Sequence, residues 1–250
     1  MLRRIAIVLL LGLVPLTSVS GTGPVPRGMA RIAAGSFRPL YGSHGPGTTT
    51  VKAFAIDTVA VSAAAFLRFT EQHPQWRRNR VSAAFADAQY LAGVIADSKR
   101  PVTNVSWHAA DSYCRARAAR LPSTNEWEYI ARASETDRNA AAQPAFKQRV
   151  LELVISARPG QFRLGSGFRN AWGVRDLHGG PMEWTSDYQA IFDHSAHGSG
   201  HAEKTMACSA GTVETGDASD YAAFMRYAFR RSVEPNSAPA NAGFRCSSDL

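Results

Sequence analysis

The order of apolar and polar positions divides the chain into short elements joined by long irregular stretches. "MARIAAGSF" alternates in the manner of a strand, and "VKAFAIDTVAV" repeats the pattern through Val51, Phe54, Ile56 and Val59. Between them "YGSHGPGTTT" reads as a turn-rich loop. Ser62 stands at a helix cap, Phe66 and Phe69 share a face of "AAAFLRFTEQ", and His73 and Pro74 end that helix. The stretch from Trp76 to Arg100 is polar and without period.

Ser106 opens the clearest helical pattern, with Trp107, Ala110, Cys114 and Ala118 at spacings of 3, 4 and 4, which turns Cys114 inward. In "RLPSTNEWEY", Ser123 with Glu126 three residues later spells a capping box, and Trp127, Ile130 and Ala131 form the buried face. From about Arg158 the chain is rich in Gly, Pro and Ser, and "DYAAFMRYAF" near Asp220 is the one further helical candidate. No internal repeat is visible.

The first 20 residues stand apart from this pattern. "MLRR" supplies a positive start, "IAIVLLLGLVPL" an apolar run, and Ser18, Val19, Ser20 a small-x-small cleavage signal. The expected layout is a signal peptide over 1–20, a Gly/Pro-rich linker over 21–28, and one domain over 29–250 of the 250 residues. This predicts a periplasmic or secreted protein with no membrane association after cleavage. The net charge is +8, and two of those charges lie in the leader. The remaining basic residues are scattered rather than striped, so nucleic acid is not an expected partner.

Three cysteines, Cys114, Cys208 and Cys246, leave one thiol over if two pair in an oxidising compartment; spacing does not choose the pair. "NAWGVRDLHGGPMEWTSDY" packs glycines, tryptophans and carboxylates together. Its plainest reading is a glycine-supported turn that buries Trp172 and Trp184, with Glu183 held by backbone N–H groups or an arginine and the edge open to a pocket at Trp184 and Tyr188. His194, His197 and His201 stand at spacings of three and four ahead of Cys208, a set with zinc or copper chemistry if a loop gathers it. Cys208 is itself a candidate nucleophile or redox centre, against burial as a small apolar residue. Arg226, Arg230 and Arg231, with Tyr221 and Tyr227, are candidates to hold a carboxylate or peptide backbone; on a helix Arg226 and Arg230 share a face, and Asp217 or Asp220 would be their plain partners.

"PVTNVSWHAADSYCRARAARLPSTNEWEYIARA", "NAWGVRDLHGGPMEWTSDY" and "RYAFRRSVEPNSAPANAGFRC" resemble, in order, three signature blocks of the formylglycine-generating enzyme (sulfatase-modifying factor) family. "CSAG" and "DYAAFMRYAFR" resemble the subgroup that includes the nitrite reductase accessory protein. The resemblance implies a single α+β domain of C-type-lectin-like type with little regular secondary structure, and a disulfide between Cys114 and Cys246. It implies a substrate groove near Tyr221, Arg226, Arg230 and Arg231. It also implies a calcium site, for which Gly180 and Glu183 stand where the family places an asparagine and a glutamate. The family's copper-binding cysteine pair, expected just ahead of the closing block, is missing from "TGDASDYAAFMRY". Copper at that site is therefore not expected, because thiolates are the ligands that select Cu(I). The function expected is an exported accessory or maturation factor that binds a partner polypeptide, metalloenzymes included. The alternative is a metal- or oxygen-dependent oxidase of formylglycine-generating type that modifies a peptide or small molecule. Which cofactor either would use is open.

Overall fold

The computed structural model describes residues 23–40, 47–158, 160–187 and 220–250. Its centre is a three-stranded antiparallel sheet in the order β1 (Met29–Ile32), β4 (Phe54–Asp57), β7 (Ser247–Asp249). Every residue of β4 is buried, as expected of a strand flanked on both sides. Its register pairs Met29 with Asp57 on one edge and Ile56 with Ser247 on the other, so strands from the two ends of the domain meet on one partner.

"MARIAAGSF" is two strands, not one. The chain turns at the exposed Ala33 and Ala34, and β2 (Gly35–Phe37) pairs with β3 (Thr49–Val51) in a separate hairpin. The second expected strand divides in the same way, β3 going to the hairpin and β4 to the main sheet. A two-residue parallel pair, β5 (Met182–Glu183) with β6 (Ala242–Gly243), ties the glycine-rich segment to the closing block. That approach is close. A Cβ on Gly243 would lie 2.7 Å from the Val102 carbonyl oxygen, so only glycine fits.

Three helices begin where serine caps predict. The Ser62 hydroxyl accepts from Ala65 N ahead of α1 (Ala63–Gln72), and Ser106 from Ala109 N ahead of α2 (Trp107–Ala116). Ser123 and Glu126 close a reciprocal capping box on α3 (Thr124–Ala131). Helix α2 stops short of Ala118, which takes a left-handed φ of 53°, and Trp107 is half-buried, its indole N–H donating to the Thr185 carbonyl at 2.9 Å. Tyr113 joins the buried face instead. Helix α4 (Pro144–Ser156) was not anticipated from the pattern. It buries only Phe146 and Val150, a strip too narrow to stand out as an amphipathic face. Helix α5 (Tyr221–Ser232) begins on Asp220, whose carboxylate accepts from Ala223 N at 2.9 Å.

Cys114, on the buried face of α2, is bonded to Cys246, 132 residues away and next to β7. Around the disulfide, Phe66, Phe69, Tyr113 and Phe244 pack ring against ring with centroids 5.3 to 5.9 Å apart. Asp57 secures the same junction: it accepts the Cys246 N–H at 3.0 Å and a two-pronged contact from Arg117 at 2.8 and 2.9 Å. A second core, of Ile32, Phe37, Phe54, Ile56, Ile130 and Trp172, fills the opposite side of the sheet, and a small third one lies between α4 and α5. Removing the disulfide by Cys114→Ala with Cys246→Ala is expected to cost about 2–5 kcal/mol of unfolding free energy. Denaturant melts of the two proteins measure this. Intact mass after alkylation should show Cys114 and Cys246 labelled only when the protein is first reduced.

Candidate functional site

Helix α3 places two adjacent side chains at the heart of the site, the indole of Trp127 and the carboxylate of Glu128, both buried. A buried carboxylate needs cationic partners, and α5 supplies two from positions one turn apart. Arg226 donates from Nε and Nη2 to Glu128 at 3.0 and 2.6 Å, and Arg230 from Nη1 at 2.9 Å. Both guanidinium groups also lie over the Trp127 ring, at 4.9 and 5.4 Å from its centre. Burial would raise the Glu128 pKa, but the two arginines override it and hold the carboxyl at about 2.

The indole N–H of Trp127 continues the network in the other direction. It donates to Glu183 Oε2 at 2.7 Å, and Arg245 of the closing block grips the same carboxylate at 2.7 and 2.8 Å. Arg245 is fully buried and spends its remaining donors on the Asp57 and Arg175 carbonyls. The acid of the glycine-rich segment is thus held by an arginine, as the bland reading of that segment requires. Calcium does not fit Glu183 in this arrangement, since both oxygens are occupied and a cation would have to displace Arg245 or the indole. Gly180 lies on a nearby cavity wall, and among the described residues no three His, Cys, Asp or Glu side chains converge as a metal site.

Two cavities flank the network. One, of about 380 Å³, opens between α4 and the start of α5, where Phe37, Phe146, Leu151 and Tyr221 line it. The other, of about 650 Å³, is walled by Trp127, Phe162, Met182, Met225 and the 177–183 segment, with Ile95 at its rim. Ala222, Arg226 and His178 belong to both walls. His178 is buried, its Nε2 is 3.0 Å from the Ala131 carbonyl, and its ring stacks on Phe168 and meets Phe146 edge-on. Burial, aided by the charge of Arg226, depresses the imidazole to about 3.

Arg226 and Tyr221 therefore stand at cavity walls, as expected of binding residues, and Arg231 is exposed. Arg226 and Arg230 do share a face, and both pair with Glu128, whereas Asp220, one of the two plain partners considered, caps α5; the other, Asp217, lies outside the described residues. Arg230 is buried in the network, and Trp184 is fully buried, its indole donating to the Val105 carbonyl at 2.9 Å. Neither lines the two cavities described above, and among the described residues both are tied into the scaffold. Tyr188, His194, His197, His201 and Cys208 lie outside the described residues. Glu128 and His178 were not picked out as site residues by sequence reasoning. The signal for Glu128 was present: an acid between Trp127 and Ile130 on an inward face has to find a cation.

Residues 19–250 match the family described as the sulfatase-modifying factor enzyme 1-like domain. The chain belongs to that family. Within it, the chain is 31% identical over 172 residues to the inactive C-alpha-formylglycine-generating enzyme 2 of Bos taurus, a match covering 63% of this chain and 53% of that protein. It is 27% identical over 176 residues to the formylglycine-generating enzyme of Mus musculus, covering 63% and 46%. The chain thus spans about half the length of the curated relatives it matches. The solved structure of PvdO from Pseudomonas aeruginosa superposes with a TM-score of 0.51 at 21% identity, over 89% of this chain and 94% of that one, and shows that the fold is shared. This member of the family carries the expected disulfide and has a mixed helix-and-sheet architecture in a single domain. Among the described residues no helix is long and apolar enough to cross a membrane.

Glu128→Ala in this family member is expected to lower stability by about 3–5 kcal/mol, because two buried guanidinium groups lose their counterion. Calorimetry against the parent protein measures it. The pH dependence separates the two titrating groups. The depressed Glu128 contributes stability that is present above the usual carboxylate range and is lost as pH falls toward 2. The buried neutral His178 binds its proton only in the unfolded chain between about pH 6.5 and 3, so its loss begins earlier. His178→Phe should therefore flatten the midpoint-versus-pH curve between about pH 6.5 and 3, and leave the fall from about pH 3 toward 2, which belongs to Glu128, in place.

Proposed function

We propose that this chain is an exported accessory or maturation factor that holds a partner polypeptide in the cleft beside α5, and that it does not generate formylglycine by paired thiols. The carrying observation is the cysteine inventory. Of three cysteines, two form the Cys114–Cys246 bond, and α5, just ahead of the closing block, has none. A two-thiolate copper site has no second sulfur. On α5 the charged side chains that face α3 are Arg226 and Arg230, and both are closed onto Glu128.

Three features support a binding role. The 650 Å³ cleft has an apolar floor and a rim on which Ile95 is 66% exposed, a surface that gains from being covered. The similarity to a protein named as an inactive formylglycine-generating enzyme, and the likeness of "DYAAFMRYAFR" to the accessory-protein subgroup, agree with a scaffold retained without that reaction. The leader-like composition of residues 1–20 supports the exported part of this reading.

Ile95→p-benzoylphenylalanine, expressed in the native host and irradiated, is expected to crosslink to one exported polypeptide, and Met225→Trp, which fills the cleft, should abolish the adduct. In parallel, the purified protein supplied with Cu(I), oxygen and cysteine-containing peptides should consume no oxygen and form no aldehyde. Aldehyde formed in a Cys208-dependent reaction would replace this reading with the oxidase alternative.

A further inference from the structure

The 650 Å³ cleft carries an imbalance of charge that the buried ion network does not use. Its lining includes the cationic side chains Arg100, Arg158 and Arg226 and a single carboxylate, Glu183. Glu183 is closed onto Arg245 and the Trp127 indole, and Arg226 is closed onto Glu128. Arg100 and Arg158 are left. Arg100 meets an acid only through Nε, 3.4 Å from an Asp97 carboxylate that Arg163 already holds at 2.8 Å, and among the described residues its Nη groups donate to none. Arg158 is exposed and pairs with no acid among the described residues; its Nη1 makes only long contacts, 3.3 and 3.4 Å, to the Ser156 and Ala157 carbonyls at the end of α4. The two arginines belong to neighbouring segments, since Leu164 N donates to the Lys99 carbonyl at 2.8 Å. The rest of the lining is hydrocarbon, from Val94, Phe162, Met182 and Met225, and carboxamide, from Asn104 and Asn241. Asn241 is exposed and makes no side-chain hydrogen bond among the described residues, and Asn104 makes a long one, 3.4 Å from Nδ2 to the Ala238 carbonyl.

We propose that the cleft takes an extended, apolar polypeptide segment that carries an acidic side chain, with Arg100 and Arg158 as the partners of its carboxylate. The proposal rests on the partner-binding reading above and deepens it by naming the chemistry of the segment. Each class of lining group has a counterpart in such a segment. Hydrocarbon covers apolar side chains, carboxamides pair with main-chain N–H and C=O groups, and guanidinium groups take a carboxylate. A basic segment would meet like charge with no acid free to pair with it. A polypeptide suits the cleft better than a small acid does, because the apolar surface continues to the rim at Ile95, 66% exposed, beyond the reach of one side chain.

The test uses the whole protein labelled with ¹³C at the methionine methyl groups. Met182 and Met225 line the cleft, whereas Met29 lies in β1, and each resonance is assigned by its loss on substitution with leucine. Acetyl-Leu-Phe-Glu-Leu-amide should shift Met182 and Met225 to saturation and leave Met29 in place. The same peptide with Gln for Glu should bind about three- to tenfold more weakly, and with Lys more weakly again. The preference for Glu over Gln should shrink as sodium chloride is raised. Arg100→Gln with Arg158→Gln should bring the Glu and Gln peptides level, and unchanged methionine resonances in the free variant show that it is folded. Arg78→Gln, which removes an exposed charge that does not line the cleft, should keep the preference. Equal binding of the three peptides, tighter binding of the Lys peptide, a preference that survives in the double variant, or no methionine shift with any peptide overturns the proposal. 4-Phenylbutyrate that saturates the shifts at the affinity of the Glu peptide also overturns it, by making a free acid the ligand. The Ile95 crosslink is read on a natural partner whatever its charge. Failure with these peptides therefore leaves that adduct standing, and absence of the adduct removes the partner-binding reading whatever the peptides do.

Discussion

Trp127 stands between two buried ion clusters and joins them. Its N–H donates to the Glu183–Arg245 pair, and its ring lies beneath the two arginines that share Glu128. Four segments far apart in the chain therefore meet on one indole: α3, the glycine-rich segment, α5 and the closing block. Hydrophobic contact alone would leave their mutual register loose, because apolar surface is indifferent to a shift of an ångström or two. Forked hydrogen bonds at 2.6 to 3.0 Å are not. The cavities take their shape from this register, since Arg226 belongs both to the cluster and to their walls.

Buried ion pairs are a poor source of net stability, because desolvating the charges offsets much of their attraction. The main stability here has other origins: the ring-packed core around Phe66 and Tyr113, the buried central strand, and the long-range disulfide. Asp57 connects these to the polar network. It accepts the Cys246 N–H while its own carbonyl receives Arg245 Nη1 at 3.2 Å. The staple between the two ends of the domain and the ion clusters of the site are thus adjacent parts of one junction, and strain in one would be felt in the other.

What was legible in the sequence follows from the range of each interaction. Ser62, Ser106 and Ser123 each cap the backbone N–H three residues on, so local composition suffices to find them. The inward direction of Cys114 follows from helical period, and its partner from the resemblance of whole blocks. The strand boundaries did not follow. Ala33 and Ala34 suit a strand as well as a turn, and only pairing with β4 or β3 separates β1 from β2. Glu128 escaped for the same reason: its two partners lie 98 and 102 residues away, and nothing in "NEWEY" names them. The arginines were seen as a pair on one face, but a local reading offered them Asp220, which is engaged in capping α5.

Helix α5 carries no cysteine, and its arginines set its place against α3. A buried carboxylate that takes two guanidinium groups from one face of a helix fixes that helix against its neighbour. In α5 the Arg226–Glu128–Arg230 cluster does so, with Trp127 as its floor. The constraint is asymmetric, since one carboxylate serves two guanidinium groups, and the outer edge of Arg226 is left facing cavity space. Beside it, His178 is held neutral by burial and by that same positive charge. The wall that results has a fixed positive character and apolar flanks, whereas thiol chemistry would require electron-rich ligands that α3 and α5 do not carry.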